Sequence, residues 1–373
     1  MKTAAQATGG GGFEMGERGD RPVLFFARAI PEPGPSLLRP VFTFVGCELG
    51  EAPGAPFSHE AIVAGASGAT VLLPTIVDRV DAEVIEAAGP SLRVISNYGV
   101  GYDNIDVAAA TARGVLVTNT PGVLTDATAD LTWTLLLAAA RNVVPGQRLI
   151  DGGREWEWDP FLLRGRDLVG RTLGIVGMGR IGRAVARRAA GFGMRVIYTR
   201  RSGPLLPAEQ PADEIASQNG GVVFDARWEH RAALDDLLRE ADVVSLHVPL
   251  TPRTHHLIGA RELALLKPEA ILVNTSRGPV VDEAALVRSL RAGRPWAAAL
   301  DVYEDEPRLA PGLRELTNVV LLPHLGSATF ATRGRMAELA ARNALAAVLG
   351  EPVPHPVNPE VLGSDGRLRI VSR

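Results

Sequence analysis

The chain has a single cysteine in 373 residues. Cys47 therefore has no partner for an intramolecular disulfide, and it cannot build a thiolate metal site alone. It lies in the apolar run VFTFVGCEL and reads as a buried structural thiol in a reducing compartment. Long apolar runs are lacking as well: none reaches about 18 residues, so no membrane span is expected. The first twenty residues, MKTAAQATGGGGFEMGERGD, have no apolar core of a secretory signal and read as a disordered lead-in. These absences predict a cytoplasmic protein. An excess of basic charge is missing too. The formal net charge is −3, which argues against a nucleic-acid partner. What is present, 46% hydrophobic and 22% charged residues, has a globular balance, and the length allows two domains.

Short apolar runs alternate with helical patterns from Arg21 onward. Strands are predicted at 23–27, 41–45, 70–73, 92–96 and 115–118, and the stretches DAEVIEAAG and IDVAAATARG are spaced and ended as helices. A long apolar helix follows in TDATADLTWTLLLAAARNV, with Thr125 or Asp126 as its N-cap. A second series predicts six strands, near 173–176, 195–198, 243–247, 270–274, 297–300 and 319–322. Such alternation gives parallel sheets covered on both faces. The fold class is thus α/β, with two Rossmann-like, doubly wound parallel-sheet domains. The closing helix ATFATRGRMAELAARNALAAVLG comes too late to serve the second sheet alone and is expected to return to the first. The domains expected are a lead at 1–20, a discontinuous substrate domain of 21–119 and 328–373, and a cofactor domain of 120–327 inserted within it. The polar stretch 204–231 resists assignment.

LGIVGMGRIG sets Gly177, Gly179 and Gly182 in G-x-G-x-x-G register directly after a β-branched run. The sequence after it puts Ile181, Ala184, Val185 and Ala189 on one helical face, so the motif is a strand-to-helix turn. Such a turn lets a pyrophosphate approach the backbone and meet the positive end of the helix. Gly177, Gly179, Arg180, Ile181 and Gly182 are therefore candidate dinucleotide contacts. About 20 residues on, where an acidic residue would hold the free ribose hydroxyls, stands VIYTRRSGP. Arg200 and Arg201 can pair with a 2′-phosphate, and Thr199 and Ser202 add hydroxyl donors. With no carboxylate in that stretch, NADP(H) is predicted in preference to NAD(H). The alternative is that both arginines are solvated surface charge.

Three further strand ends carry chemistry. ILVNTSRGPVVDE ends a strand with Arg277, AALDVYEDEP ends another with Asp301 and then Glu306, and VVLLPHLGSAT ends the last with His324. Reducing a 2-keto acid needs these types. Arg277 can clamp a carboxylate and polarise a ketone. His324 can give a proton to the oxygen as hydride arrives, and Glu306 beside it would stabilise the imidazolium. The other histidines (His59, His230, His247, His255, His256 and His355) read as ordinary satisfied residues.

With NYGVGYDNIDVAAATARGVLVTNTPGVLTDATADL, TLGIVGMGRIG, HVPLT, LVNTSRGPVVDE, ALDVYEDEP and LLPHLGSAT in this order, the chain resembles the D-isomer-specific 2-hydroxyacid dehydrogenases. It is most similar to their glyoxylate/hydroxypyruvate reductase branch, over roughly residues 20 to 350. The resemblance implies that Arg277, Glu306 and His324 are the catalytic trio. It implies that Thr275 and Asp301 lie near the nicotinamide, His247 to Pro249 near the adenosine, and Leu124 and Thr128 against the cofactor, with Gly326 a further cofactor contact. The amides of Val100 and Gly101 would hold the substrate carboxylate. The family's domains close by hinging near residues 120 and 327, and no metal is implied. A homodimer through the cofactor domain is implied as well, with a loop near 150–168. From it Trp158 reaches the partner's active site or, equally, packs beside Trp156 in the dimer contact.

The lead-in and the stretch 203–231 depart from the family pattern. The function predicted is NADPH-preferring reduction of glyoxylate or hydroxypyruvate to glycolate or D-glycerate. Phosphoglycerate dehydrogenase and phosphite dehydrogenase share the scaffold. The first often has a C-terminal regulatory domain, which the tail is not expected to hold although short versions exist, and tends to favour NAD(H). Formate dehydrogenase would pair its histidine with glutamine. A dinucleotide-sensing binding protein, similar to the C-terminal-binding-protein corepressors, keeps even the trio and stays open.

Overall fold

The computed structural model describes residues 21–46, 57–153, 155–210, 215–216, 223–224 and 228–369. Cys47, the lead-in and much of the stretch 204–231 lie outside the described residues. The chain divides into two compact units, one taking it up to Leu124 and again from Thr329, the other being Thr125–Ala328.

In the first unit the elements run β1 (Val23–Phe26), α1 (Gly34–Leu38), β2 (Thr43–Gly46), α2 (His59–Gly65), β3 (Val71–Leu73), α3 (Ala82–Ala88), β4 (Val94–Ser96), α4 (Val107–Ala112) and β5 (Leu116–Thr118). The sheet order is β2-β1-β3-β4-β5, and every pairing is parallel. Strands β3, β4 and β5 are buried at every residue, as expected of parallel strands covered on both faces. Successive side chains point to opposite sides. Leu24 and Phe26 enter one apolar cluster while Phe25 enters the other. The helices start where the sequence offers acceptors: Ser58, Asp81 and Asp106 each take an N–H of the first turn. After the inserted unit the chain returns as α11 (Phe330–Leu349), which packs on α1 and β4. Its small residues Ala337, Ala340, Ala341 and Ala344 are fully buried, and Ser96 Oγ donates to the Ala340 carbonyl at 2.8 Å.

In the second unit come α5 (Thr125–Ala140), α6 (Val143–Asp151), β6 (Thr172–Val176), α7 (Arg180–Ala189), β7 (Arg195–Thr199), β8 (Ile215–Ala216), β9 (Val223–Phe224) and β10 (Glu229–His230). The unit continues with α8 (Leu234–Glu240), β11 (Val243–Leu246), α9 (Ala260–Leu265), β12 (Ile271–Asn274), α10 (Glu283–Arg291), β13 (Ala297–Leu300) and β14 (Val319–Leu321). Its large sheet is parallel with the order β10-β7-β6-β11-β12-β13-β14, so the strand order reverses between β6 and β11. Ligands in such sheets bind beyond the carboxyl ends of the strands, at the reversal. The central strands are buried throughout, and Trp133 of α5 stacks on Phe192 at 4.3 Å while its Nε1 donates to the Val185 carbonyl.

Three expectations are corrected. Among the described residues the sheet has seven strands where six were expected. The extra strand β10 is two residues long, polar at both and only half-buried, so hydrophobic patterning passes over it. Charge pairing marks it instead, with Glu229 and Glu240 taking the guanidiniums of Arg195 and Arg231. Neither Thr125 nor Asp126 is an N-cap, because both lie inside the first turn of α5. That helix also stops at Ala140, where Asn142 takes a left-handed backbone (φ 54°) before α6 begins. Among the described residues, no helix is long and apolar enough to cross a membrane.

Candidate active site

The glycine turn joins β6 to α7. Gly177 has φ 99°, and a Cβ there would come within 2.5 Å of the His247 carbonyl oxygen, so the position admits only glycine. Gly179 caps the ten-residue α7 without any side-chain hydrogen bond, and a Cβ there would meet nothing within 4 Å. The positive end of the helix thus opens onto free space, which fits a dinucleotide pyrophosphate. Arg180 is exposed and Ile181 half-buried beside it. At the end of the neighbouring β7, the two arginines differ. Arg200 donates through Nε to the Gly203 carbonyl at 2.6 Å and through Nη2 to the Pro204 carbonyl at 2.8 Å, with Glu209 at 3.4 Å. Glu209 also accepts from Arg183 and from the Leu206 N–H. Arg200 therefore clasps its own loop. Arg201 and Ser202 are exposed next to it, and Thr199 is half-buried.

At the end of β11, His247 pairs with Ser245 Oγ at 2.8 Å, and loss of solvent pushes its pKa down to about 3, so the ring is neutral. Val248 is half-buried and Pro249 exposed.

At the end of β12, buried Asn274 shapes the turn that carries Arg277. Its Oδ1 accepts from the Ser276 N–H and Oγ, and its Nδ2 donates to the Arg277 carbonyl at 2.9 Å. Thr275 is buried, with Oγ1 2.9 Å from that of Thr132 on α5. Beyond β13, Asp301 is 1% exposed and accepts the N–H groups of Leu325 and Gly326 at 2.6 and 2.8 Å. Burial nevertheless pushes its pKa up to about 6. Thr128 donates to the Gly326 carbonyl at 3.1 Å, which ties α5 to the segment after β14.

His324 stands three residues past β14 with a left-handed backbone (φ 56°), held there by its own N–H bonded to the Asp301 carbonyl at 2.8 Å. Strain of this kind in a residue other than glycine needs support from its surroundings and gathers at working sites. The ring Nδ1 lies 2.9 Å from Glu306 Oε2. A carboxylate accepts only, so Nδ1 carries the proton and Nε2 faces away from Glu306. Burial would raise the Glu306 pKa, but the His324 bond and charge, the Tyr303 N–H and the Arg277 charge outweigh it and hold it below the usual range. Glu306 is thus ionised at neutral pH, between a guanidinium and an imidazole. The second unit therefore brings Arg277, Asp301, Glu306 and His324 to the carboxyl edge of one sheet, along with the glycine turn.

The other sequence-singled residues sit elsewhere. Val100 and Gly101 lie in the turn after β4 of the first unit. There Asn119 Nδ2 donates to the Val100 carbonyl at 2.8 Å and Asn97 Nδ2 to that of Gly101 at 2.7 Å. Leu124 closes that unit's first stretch and is half-buried. Trp158 is 80% exposed in the loop after α6, near exposed Trp156 and Phe161. Sequence reasoning passed over Asn274, Thr132 and Glu209. The only signal for Asn274 was a polar residue closing an apolar strand, and the other two act through partners 143 and 9 residues away.

Residues 133–326 match the family model for the NAD binding domain of D-isomer specific 2-hydroxyacid dehydrogenases. A glyoxylate reductase of Thermococcus litoralis is 46% identical over 349 residues, spanning 92% of this chain and 99% of that protein. A crystal structure of a Thermus thermophilus protein superposes with a TM-score of 0.78 at 44% identity, covering 90% of this chain and 99% of that one. An NADPH-dependent glyoxylate/hydroxypyruvate reductase of Sinorhizobium meliloti, solved with NADP and malonate, gives a TM-score of 0.74 at 30% identity. It covers 95% of this chain and all of the other.

Proposed function

The chain belongs to the D-isomer specific 2-hydroxyacid dehydrogenase family, and on that premise we propose that it reduces small 2-keto acids, glyoxylate and hydroxypyruvate, with NADPH. The observation that carries this reading is the His324–Glu306 pair beside the charge of Arg277 at one sheet edge. Bound in its reduced form, the nicotinamide supplies the hydride. Nε2 of His324 gives the proton to the carbonyl oxygen, while Glu306 stabilises the imidazolium from Nδ1. Arg277 holds the substrate carboxylate through its fork and draws charge onto the ketone. The main-chain amides of Val100 and Gly101 are proposed as further carboxylate ligands.

Gly177 to Gly182 and the start of α7 would take the pyrophosphate, and Val248 and Pro249 the adenosine. Thr275, Asp301 and Gly326, with Leu124 and Thr128, would take the nicotinamide side. Because Arg200 is committed to its own loop, the 2′-phosphate falls to Arg201, with Thr199 and Ser202 adding hydroxyls. A homodimer through the cofactor unit is part of the same proposal, supported by the exposed apolar residues Val143, Ile150, Trp156, Trp158 and Phe161.

The test is to follow loss of reduced nicotinamide with glyoxylate and with hydroxypyruvate, using NADPH and NADH, for the wild type and Arg201→Ala. The wild type should prefer NADPH by about tenfold or more, and the variant should lose most of that margin. Equal rates, or a preference for NADH, would overturn the cofactor assignment. No turnover with any 2-keto acid would overturn the reductase.

A further inference from the structure

Glu283 follows the N-cap Asp282 at the start of α10 and is 2% exposed. Its carboxylate does not serve as the cap, since Asp282 already accepts the Ala285 N–H at 2.7 Å. An ionisable group so far from water has to be compensated. Glu283 Oε1 accepts the Glu304 N–H at 2.5 Å, and Oε2 accepts the Ala310 N–H at 3.1 Å. In return the Glu283 N–H donates to Glu304 Oε2 at 3.2 Å. One buried carboxylate thus bridges both ends of the loop 304–310, and Glu306 lies inside it.

The neighbouring contacts run to the same place. A Cβ on Gly278, next to Arg277, would fall 1.8 Å from the Tyr303 carbonyl, so the loop lies directly against the turn that carries the arginine. Within the loop, Glu306 Oε1 accepts the Tyr303 N–H at 3.0 Å, while Oε2 meets His324. The Tyr303 hydroxyl donates to the Leu322 carbonyl at 2.8 Å, two residues before His324. The loop is therefore fastened on its Tyr303 side to the His324 segment, and at residues 304 and 310 to Glu283.

We propose that Glu283 is a positioning residue for the His324–Glu306 pair, acting by holding the ends of the loop that carries Glu306. The proposal rests on the keto-acid reductase reading. Burial, then the neighbouring carboxylates of Glu304 and Glu306, lift Glu283 above the ordinary carboxylate range against its two N–H bonds. His256 Nε2 lies 2.5 Å from Glu304 Oε1 on the far side. Besides Glu283 itself, the titratable groups whose charge reaches the pair are Asp301, Arg277 and Tyr303.

The test is Glu283→Gln in the full chain, assayed with glyoxylate across pH, with dinucleotide affinity measured separately by calorimetry. A neutral amide can accept at one oxygen only, so one loop end is released. The kcat should fall about tenfold with little change in KM for the keto acid. The alkaline limb of kcat, which reports proton loss from the coupled pair, should move to lower pH by about half a unit or more. Dinucleotide affinity should hold. Glu283→Asp keeps the charge but is one methylene too short to span both N–H groups, and should shift the limb in the same direction. A wild-type limb in either folded variant would overturn the proposal, whatever the rate. Failure of both variants to fold would overturn it too, since Glu283 would then serve folding and not the geometry of the pair. A wild type inactive on every 2-keto acid would strike the reductase reading instead, which the wild-type assay separates from these outcomes.

Discussion

His324 Nδ1 lies 2.9 Å from Glu306 Oε2, and the two residues reach each other from loops that follow different strands, β13 and β14. Neither loop is regular. His324 sits in the left-handed region, and Glu306 is anchored by the Tyr303 N–H. The pair is assembled by these local devices at the edge of a rigid sheet, which leaves Nε2 free of the carboxylate and able to give up a proton.

Replacing Glu306 with Gln keeps a hydrogen-bonding partner for Nδ1 and removes the charge. With glyoxylate and NADPH, kcat should fall by about 10²-fold, the size of a typical acid–base contribution, while dinucleotide affinity stays level. Steady-state kinetics and a binding titration check it. A kcat near the wild-type value would mean that the carboxylate charge is idle.

Arg277→Lys keeps a positive charge and loses the planar fork. Because two parallel donors cannot be replaced by one point charge, KM for the keto acid should rise and kcat fall together, for a loss in kcat/KM of about 10²-fold or more. A loss confined to one of the two constants would remove either the clamp or the polarising role.

Asp301 carries a pH signature. Its pKa is raised in the folded state from an ordinary 3.8 to about 6, so its stabilising contribution is complete below pH 4 and is lost as pH rises through 6. The displacement corresponds to about 3 kcal/mol at most. Relative to Asp301→Asn, which does not titrate, the wild type should lose stability between about pH 4 and 6 and then level off. Thermal melts of both proteins across this range test the sign. A difference that grows with pH would contradict it.

Gly179→Val adds a branched side chain where a Cβ would meet nothing beyond the adjacent backbone within 4 Å. The melting temperature should stay within a few degrees, while dinucleotide affinity drops by about tenfold or more because the new methyls occupy the approach to α7. Unchanged affinity would move the pyrophosphate away from this turn.

Much of this was legible in the chain. The buried parallel strands announce themselves as short apolar runs, and β13 was placed at 297–300, as the structure has it. The glycine register, Arg277, Glu306 and His324 are readable because strand ends and residue types coincide. What escaped depends on pairing across sequence. Strand β10 has two residues and is held by ion pairs, so no periodicity reveals it. The different situations of Arg200 and Arg201 depend on a carbonyl three residues on and a carboxylate nine residues on. Glu283 looks like one more helix-start acid until its carboxylate is seen to bridge Glu304 and Ala310.

The most direct measurement is turnover of glyoxylate with NADPH by His324→Asn, beside its affinity for the dinucleotide. Asparagine accepts the left-handed backbone at this position, so the loop keeps its shape. A kcat lower by about 10²- to 10⁴-fold with dinucleotide affinity intact is the result predicted for the proton donor. Turnover at the wild-type rate would contradict the account at its centre.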